Sequence, residues 1–505
     1  MAAASGGDRG FVDVFGSFGP AHGTAATAGA SLETLVKERV AHGIRLTLAW
    51  SLLAPVADGD TGNRLAAEAA ADPVNGLAAI AVVGPRRTGD ATRRVQEARR
   101  AGAVGYRLDG WAGAGLPSDA VTELLRAIAT AGRPLLVPIG RSASAGAIGA
   151  ATADLGIPVV LLGAHYSTIV DDLASAVRYP HLHLETSAMA HFRAIETAVR
   201  TIGHERVLLG TGSPARAAAS PIGAVLLSSV SDVAKRAILG GNAVRLFGLA
   251  DEPIDLTPPT LPSRAFDVHT HLGPLDFDVP QVPDGALIGE LGFAQAAVAS
   301  AALAIFGDPA RGNAQAIRAA AAHGADGLRV YVVADPTDLE STADELRRSI
   351  DAPGVLGVKV HGEWSGTPTA SRAMSDLFDL LGPIGRPVKI HNTGDGWDEA
   401  LGVIARRHPR LPIVIAHGGL GTPSIEGAQL AAANDNVYVE WSSSFAHLPT
   451  VRTALAIAGA DKLLWGSDAT LLDPAFVLGT YRDAGLPTAA EDKVFWSNAA
   501  TLFGW

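Results

Sequence analysis

The 505-residue chain is 48% apolar and 18% charged, the composition of an ordinary globular protein with length enough for two domains. Forty Lys and Arg against 51 Asp and Glu leave a formal charge of −11, which argues against nucleic acid and anionic membrane surfaces as partners. There is no cysteine, so disulfides and thiolates are excluded, and any metal must be held by His, Asp, Glu or a modified Lys.

The first residues, MAAASGGDRGFVDV, lack the charged start and apolar run of a signal peptide, and no apolar stretch reaches membrane-spanning length. A cytoplasmic enzyme acting on a small molecule is the expectation.

From Phe11 onward the chain repeats itself once. FVDVFGSFGP at Phe11 matches FDVHTHLGP at Phe266, a spacing of 254 between the two aspartates (267 − 13). In the same order, TGNR at Thr61 pairs with RGNA at Arg311, GYRLDG at Gly105 with GVKVHG at Gly357, and RPLLVPIG at Arg133 with RPVKIHNTG at Arg386. PVVLLGAH at Pro158, HLHLETS at His181, RVLLGTGS at Arg206 and GNAVRLFG at Gly241 then pair with PIVIAHGG, NVYVEWS, KLLWGSDA and SNAATLFG. An ordered series of this length points to duplication.

Between the copies, Leu249 to Arg264 carries four prolines and no helical or strand period, so it reads as a linker. The predicted organisation is residues 1–250, a linker at 251–264, and residues 265–505. Within each copy, short Val/Ile/Leu runs alternate with longer Ala/Leu-rich stretches at helical spacing, the pattern of buried parallel strands covered by helices. In the second copy the strands are predicted near 266–270, 295–301, 327–333, 355–361, 387–391, 412–417, 436–441 and 462–467. Eight such units in roughly 240 residues predict an α/β fold of two tandem (β/α)8 barrels of the TIM type. A doubly wound open sheet is the alternative, but no glycine-rich phosphate loop follows a first strand.

His269 and His271 lie two apart on the first strand of the second copy, so both imidazoles face one way and can grip one ion. His391, His417 and Asp468 end the fifth, sixth and eighth strands. Barrel enzymes place their chemistry at those strand ends.

DVHTHLG, PVKIHNTG, IVIAHGG and LLWGSDAT resemble the amidohydrolase superfamily, in the amidohydrolase-2 branch related to aminocarboxymuconate-semialdehyde decarboxylase, and the resemblance covers the whole second copy. It implies that His269, His271, His391 and Asp468 hold one divalent metal, zinc, and that His417 polarises substrate or positions water. Three imidazoles and a carboxylate leave room for a water, which the ion would convert to hydroxide. Asp468 and His417 are the catalytic candidates. Lys359 stands where binuclear relatives carry a carboxylated lysine, which leaves a second metal open. Lys359, His361, Glu363, Trp364, Glu440 and Trp441 are candidates for the substrate pocket, although Glu440 is matched by Glu185 in the other copy, which suggests a structural role.

In the first copy the corresponding residues are Phe15, Ser17, Pro138, Gly163 and Gly212, and a metal site of the same design cannot form there. Arg107, Asp109, His165, His183 and Glu185 remain near its strand ends, where binding of an anion or a small effector is the alternative to a purely structural role. The expectation is a pseudoenzyme barrel that packs on the second as an inactive partner would; a homo-oligomer also stays open. Three functions compete: hydrolysis of an amide, lactone or ester by metal-bound hydroxide, non-oxidative decarboxylation of a small carboxylate, and metal-containing binding without catalysis.

Overall fold

Strands and helices alternate along the whole chain in the computed structural model, which describes residues 8–19, 29–85, 91–109, 119–140, 143–275 and 280–505. They form two units, Met1–Pro259 and Thr260–Trp505. The boundary falls inside the proline-rich stretch, and the residues before it are tied to the first unit: Asp255 donates its N–H to Arg9 O at 3.0 Å.

The first unit contains β1 (Phe11–Phe18), β2 (Ile44–Ser51), β3 (Leu77–Val83), β4 (Gly105–Leu108), β5 (Leu135–Pro138), β6 (Val159–Leu162), β7 (Leu182–Glu185) and β8 (Val207–Leu208). The second contains β9 (Phe266–Leu272), β10 (Ala296–Ala301), β11 (Leu328–Val333), β12 (Val355–His361), β13 (Val388–His391), β14 (Ile413–Ile415), β15 (Val437–Glu440) and β16 (Leu463–Leu464). In each, all neighbours pair in parallel and in sequence order. The residues after the last strand close the ring: Val14 N–H donates to Leu209 O at 2.9 Å, and Val268 N–H to Trp465 O at 3.0 Å. The chain therefore folds as two tandem (β/α)8 barrels.

The same devices recur in both barrels. Asp58 and Asp308 each cap the long helix that leads to the third strand, at Gly59–Ala71 and Pro309–His323. One turn on, Asn63 and Asn313 bond both backbone groups of Val82 and Val333, fixing that helix to the third strand. Asn242 and Asn498 begin the last helices and donate to carbonyls just before β8 and β16 or at their first residues, Val207 and Leu463. From these helices Phe247 joins Val12, Ile80 and Val82 in one core, and Phe503 meets Phe266 and Tyr331 in the other, both at 5.9 Å between ring centroids. Among the described residues no helix is long and apolar enough to cross a membrane.

Candidate metal centre

Parallel strands bring their C-terminal ends to one rim, and the second barrel gathers its histidines there. From β9, His269 and His271 both reach Asp468: His271 Nε2 lies 2.9 Å and His269 Nε2 3.3 Å from Asp468 Oδ1. One ligand atom from each of the three falls within 4.8 Å of the others. Asp468 follows β16 in a tight turn at φ +61°, a conformation that L side chains rarely adopt. His417, after β14, is held at φ +60°. Both strained residues carry functional groups of the rim, where such strain concentrates.

Behind the histidines lies Glu440, fully buried at the end of β15. Its Oε1 accepts from His269 Nδ1 and from the His417 backbone N–H, both at 2.8 Å, and its Oε2 accepts from the Ser442 N–H at 2.8 Å. Burial pushes this carboxyl up, but Lys389, His417 and those N–H donors outweigh it and hold it below its ordinary value. It thus stays ionised and fixes His269 with Nε2 turned toward Asp468.

His417 lies one step further along the rim. Its Nδ1 is 2.5 Å from Ser442 O, which sets the tautomer with the proton on Nδ1. Its Nε2 is 3.2 Å from His391 Nδ1, while His391 Nε2 faces Glu363 at 3.1 Å. His391 therefore joins the group through His417 rather than lying beside Asp468. His361 stacks on His391, with ring centroids 4.1 Å apart.

Burial keeps the imidazoles neutral, the form that binds metal. His269 is held well below its ordinary value by burial and Lys389, His271 is lowered by burial, and His391 falls to about 4 for the same reason. Lys359 is pushed down to about 7 by burial and the neighbouring Lys389, and its Nζ has no hydrogen-bond partner among the described residues.

Neutral imidazoles converging on an ionised carboxylate, with one ring oriented from behind, make a donor set that fits a divalent cation. Of the pocket candidates, Trp364 is half exposed on the rim, with its ring 4.7 Å from Phe306. The Glu363 side chain is also exposed. Glu440 and Trp441, the other pocket candidates, are both fully buried. Trp441 packs on Tyr481 at 5.7 Å and against Gly418, the residue after His417.

Sequence reasoning passed over four contributors. Asp267 accepts the N–H groups of His269 and Ser467 at 3.0 and 3.1 Å, tying β9 to the Asp468 turn. Lys389 spans the barrel to Val268 O at 2.8 Å and lies 3.6 Å from Glu440. Ser442 Oγ lies 3.2 Å from both His269 Nδ1 and His417 Nδ1, and Ser300 Oγ is 3.3 Å from His271 Nδ1. The signal for Asp267 was present, since Asp13 matches it in the copy without ligands.

A family model described as amidohydrolase matches residues 31–249 and again residues 266–505. No curated protein matches the chain. Among solved structures, the 2,6-dihydroxybenzoate decarboxylase from Rhizobium is 16% identical over 48% of this chain and 98% of its own, with a TM-score of 0.38. The 5-carboxyvanillate decarboxylase from Sphingomonas paucimobilis is 15% identical over 48% and 99%, with a TM-score of 0.37. A dihydroxybenzoic acid decarboxylase from Polaromonas sp. JS666, crystallised with manganese and the inhibitor 2-nitroresorcinol, is 18% identical over 43% and 84%, with a TM-score of 0.34.

Proposed function

Because this chain belongs to the amidohydrolase family, we propose that its second barrel hydrolyses an amide, lactone or ester of a small molecule with one divalent ion, zinc, held by His269, His271, His391 and Asp468. The observation that carries the reading is the convergence of His269 Nε2 and His271 Nε2 on Asp468 Oδ1 at 3.3 and 2.9 Å, with Glu440 orienting His269. When bound, the ion supplies Lewis acidity, polarising a substrate carbonyl and acidifying water.

The chain's own residues supply the proton handling. Asp468 is ionised: burial raises its pKa, but the hydrogen bond from His271 and the charges around it hold the carboxyl below its ordinary value. Its carboxylate accepts a proton from the attacking water and returns it to the leaving group. His417, with Nδ1 fixed on Ser442 O and Nε2 3.2 Å from His391 Nδ1, positions the attacking water at the rim. His361 and Trp364, with ring centroids 6.5 Å apart at and after the end of β12, are the candidates for substrate contact.

A second reading, non-oxidative decarboxylation of a small carboxylate on the same residues, is favoured by Lys359. Its buried Nζ has no hydrogen-bond partner among the described residues, and a substrate carboxylate would provide one. Two assays on the metal-loaded protein separate the readings: hydrolytic turnover across amides, lactones and esters, and carbon dioxide release across carboxylates. Carbon dioxide release without hydrolysis replaces the first reading by the second. Metal far below one equivalent per chain in elemental analysis removes both and leaves a binding protein.

A further inference from the structure

The first strand of each barrel carries the same irregularity at the position of His269. Between β9 and β10, Asp267 stands opposite Ala297 and Thr270 opposite Ala299, so Val268 and His269 share the single partner Val298. Between β1 and β2, Asp13 stands opposite Thr47 and Gly16 opposite Ala49, so Val14 and Phe15 share Leu48. A β-bulge of this kind interrupts the ladder and re-aims a side chain. Its surroundings are shared too. Asp267 Oδ1 accepts the His269 N–H at 3.0 Å, and Asp13 Oδ1 accepts the Phe15 N–H at 2.9 Å. Val268 and Val14 donate to Trp465 O and Leu209 O, just past the last strands. The bulge therefore belongs to the fold of both copies.

What differs is how the carbonyl at the bulge is met. Val268 O accepts the Tyr331 hydroxyl from β11 at 3.0 Å and Lys389 Nζ from β13 at 2.8 Å. Both donors are buried, and together they occupy the two lone pairs of that oxygen. Shared contacts identify the matching residues of the first barrel. Asn313 and Asn63 bond Val333 and Val82, which pairs Tyr331 with Ile80, two residues earlier in each strand. Lys389 lies in register with Lys359, and Leu136 with Arg107, the residue that matches Lys359. Ile80 and Leu136 have no donor to offer, and both pack with Val14 in one apolar core. The copy that has lost the metal ligands thus keeps the bulge without either donor.

Folding alone does not account for the pair, since the first barrel folds without it. Tyr331 and Lys389 act on the peptide that leads into His269. Lys389 Nζ also lies 3.6 Å from Glu440 Oε1, the atom that accepts from His269 Nδ1 at 2.8 Å. The backbone and the ring of one histidine are thereby held from a common point inside the barrel.

We propose that Tyr331 and Lys389 are positioning residues of the metal centre: they fix the Val268–His269 peptide and, through it, the direction in which His269 Nε2 meets Asp468. The inference rests on the metal site proposed above. Both residues act through His269 rather than on the reacting atoms.

The test uses the full-length protein, titrated with zinc against a chromophoric chelator and, separately, with cobalt(II), whose visible absorption bands report the geometry of its ligands. Lys389→Met should weaken zinc binding roughly 10- to 100-fold, the range for partners that orient a ligand from behind. Tyr331→Phe keeps the ring and removes one hydroxyl, and should weaken binding about threefold to tenfold, the scale of one hydrogen bond. Both variants should shift the cobalt bands while the far-ultraviolet circular dichroism stays that of the parent. Tyr331→Phe decides alone if Lys389→Met does not fold. Folded variants with the parent's affinity and cobalt bands overturn the inference and leave the metal site standing. Unfolding of both variants assigns the pair to the fold and overturns it as well. A parent protein that takes up neither ion removes the metal site itself, and this inference with it.

Discussion

His269 turns its Nδ1 to Glu440 Oε1 across 2.8 Å, which leaves its Nε2 as the nitrogen that meets Asp468. A carboxylate behind a metal-binding imidazole sets both the tautomer and the ring orientation. Glu440→Gln should therefore weaken metal affinity by roughly 10- to 100-fold without removing any ligand. Competition with a chromophoric chelator measures this, and an unchanged affinity would separate Glu440 from the metal centre.

Replacing His269 and His271 together with alanine should empty the site and abolish turnover while the far-ultraviolet circular dichroism stays that of the parent. The barrel core of Phe266, Val268, Val298 and Tyr331 involves neither side chain. A double variant that still retained one equivalent of metal would mean that these two histidines are not ligands.

Asp468 and His417 carry left-handed backbone at φ +61° and +60°, which costs a non-glycine residue of order 1 to 3 kcal/mol. Asp468→Asn should lower turnover by roughly 10² to 10⁴, because an amide cannot take the proton. Asp468→Gly and His417→Gly should be as inactive or worse, yet unfold at a higher denaturant midpoint in the metal-free state than their alanine counterparts. Equal midpoints for the glycine and alanine variants would show that the strain is not felt.

Acid should destabilise the first barrel from near neutrality. His165, His183 and His191 are pushed down to about 4, chiefly by burial, and return toward 6.5 on unfolding. Between those values the unfolded chain binds more protons, so stability falls as pH drops, by about 1.4 kcal/mol per pH unit for each histidine. Asp13 and Asp172, raised to about 6 by burial, act in the opposite sense below that pH, because their folded forms hold the proton. The loss should thus be steepest between 6.5 and 6 and shallower toward 4. His191→Leu should flatten the slope by about one proton in urea titrations run across this window, and parallel slopes for parent and variant would contradict a neutral buried His191.

Much of this was legible in the sequence because it rests on periodicity. The strand runs from Phe266 to Leu464 alternate with helical stretches, and the spacing of His269 and His271 sets both rings on one face. The turns after the strands obey no such period. Nothing in the spacing of IVIAHGG or LLWGSDAT announces that His417 and Asp468 sit at positive φ, and that geometry decides which nitrogen and which oxygen meet. His391 shows the same limit: its strand end is right, yet its Nδ1 meets His417 and its Nε2 Glu363. Comparison of the two copies already marked Glu440 through Glu185, and the same comparison, of Asp13 with Asp267, finds the other buried carboxylate.

The glycines of the first barrel bear on whether its history can be reversed. Gly163 and Gly212 adopt φ +89° and +68°, where the second barrel carries His417 and Asp468. A change from histidine or aspartate to glycine at these turns relaxes the backbone, whereas the reverse change must reimpose the strain before any ligand is regained. Arg216 adds a steric barrier, since its stem stands against the Cβ that an aspartate at 212 would need. Loss of the ligands at these two turns therefore works as a ratchet: the step to glycine is downhill for folding, and the step back is uphill before any ligand is regained.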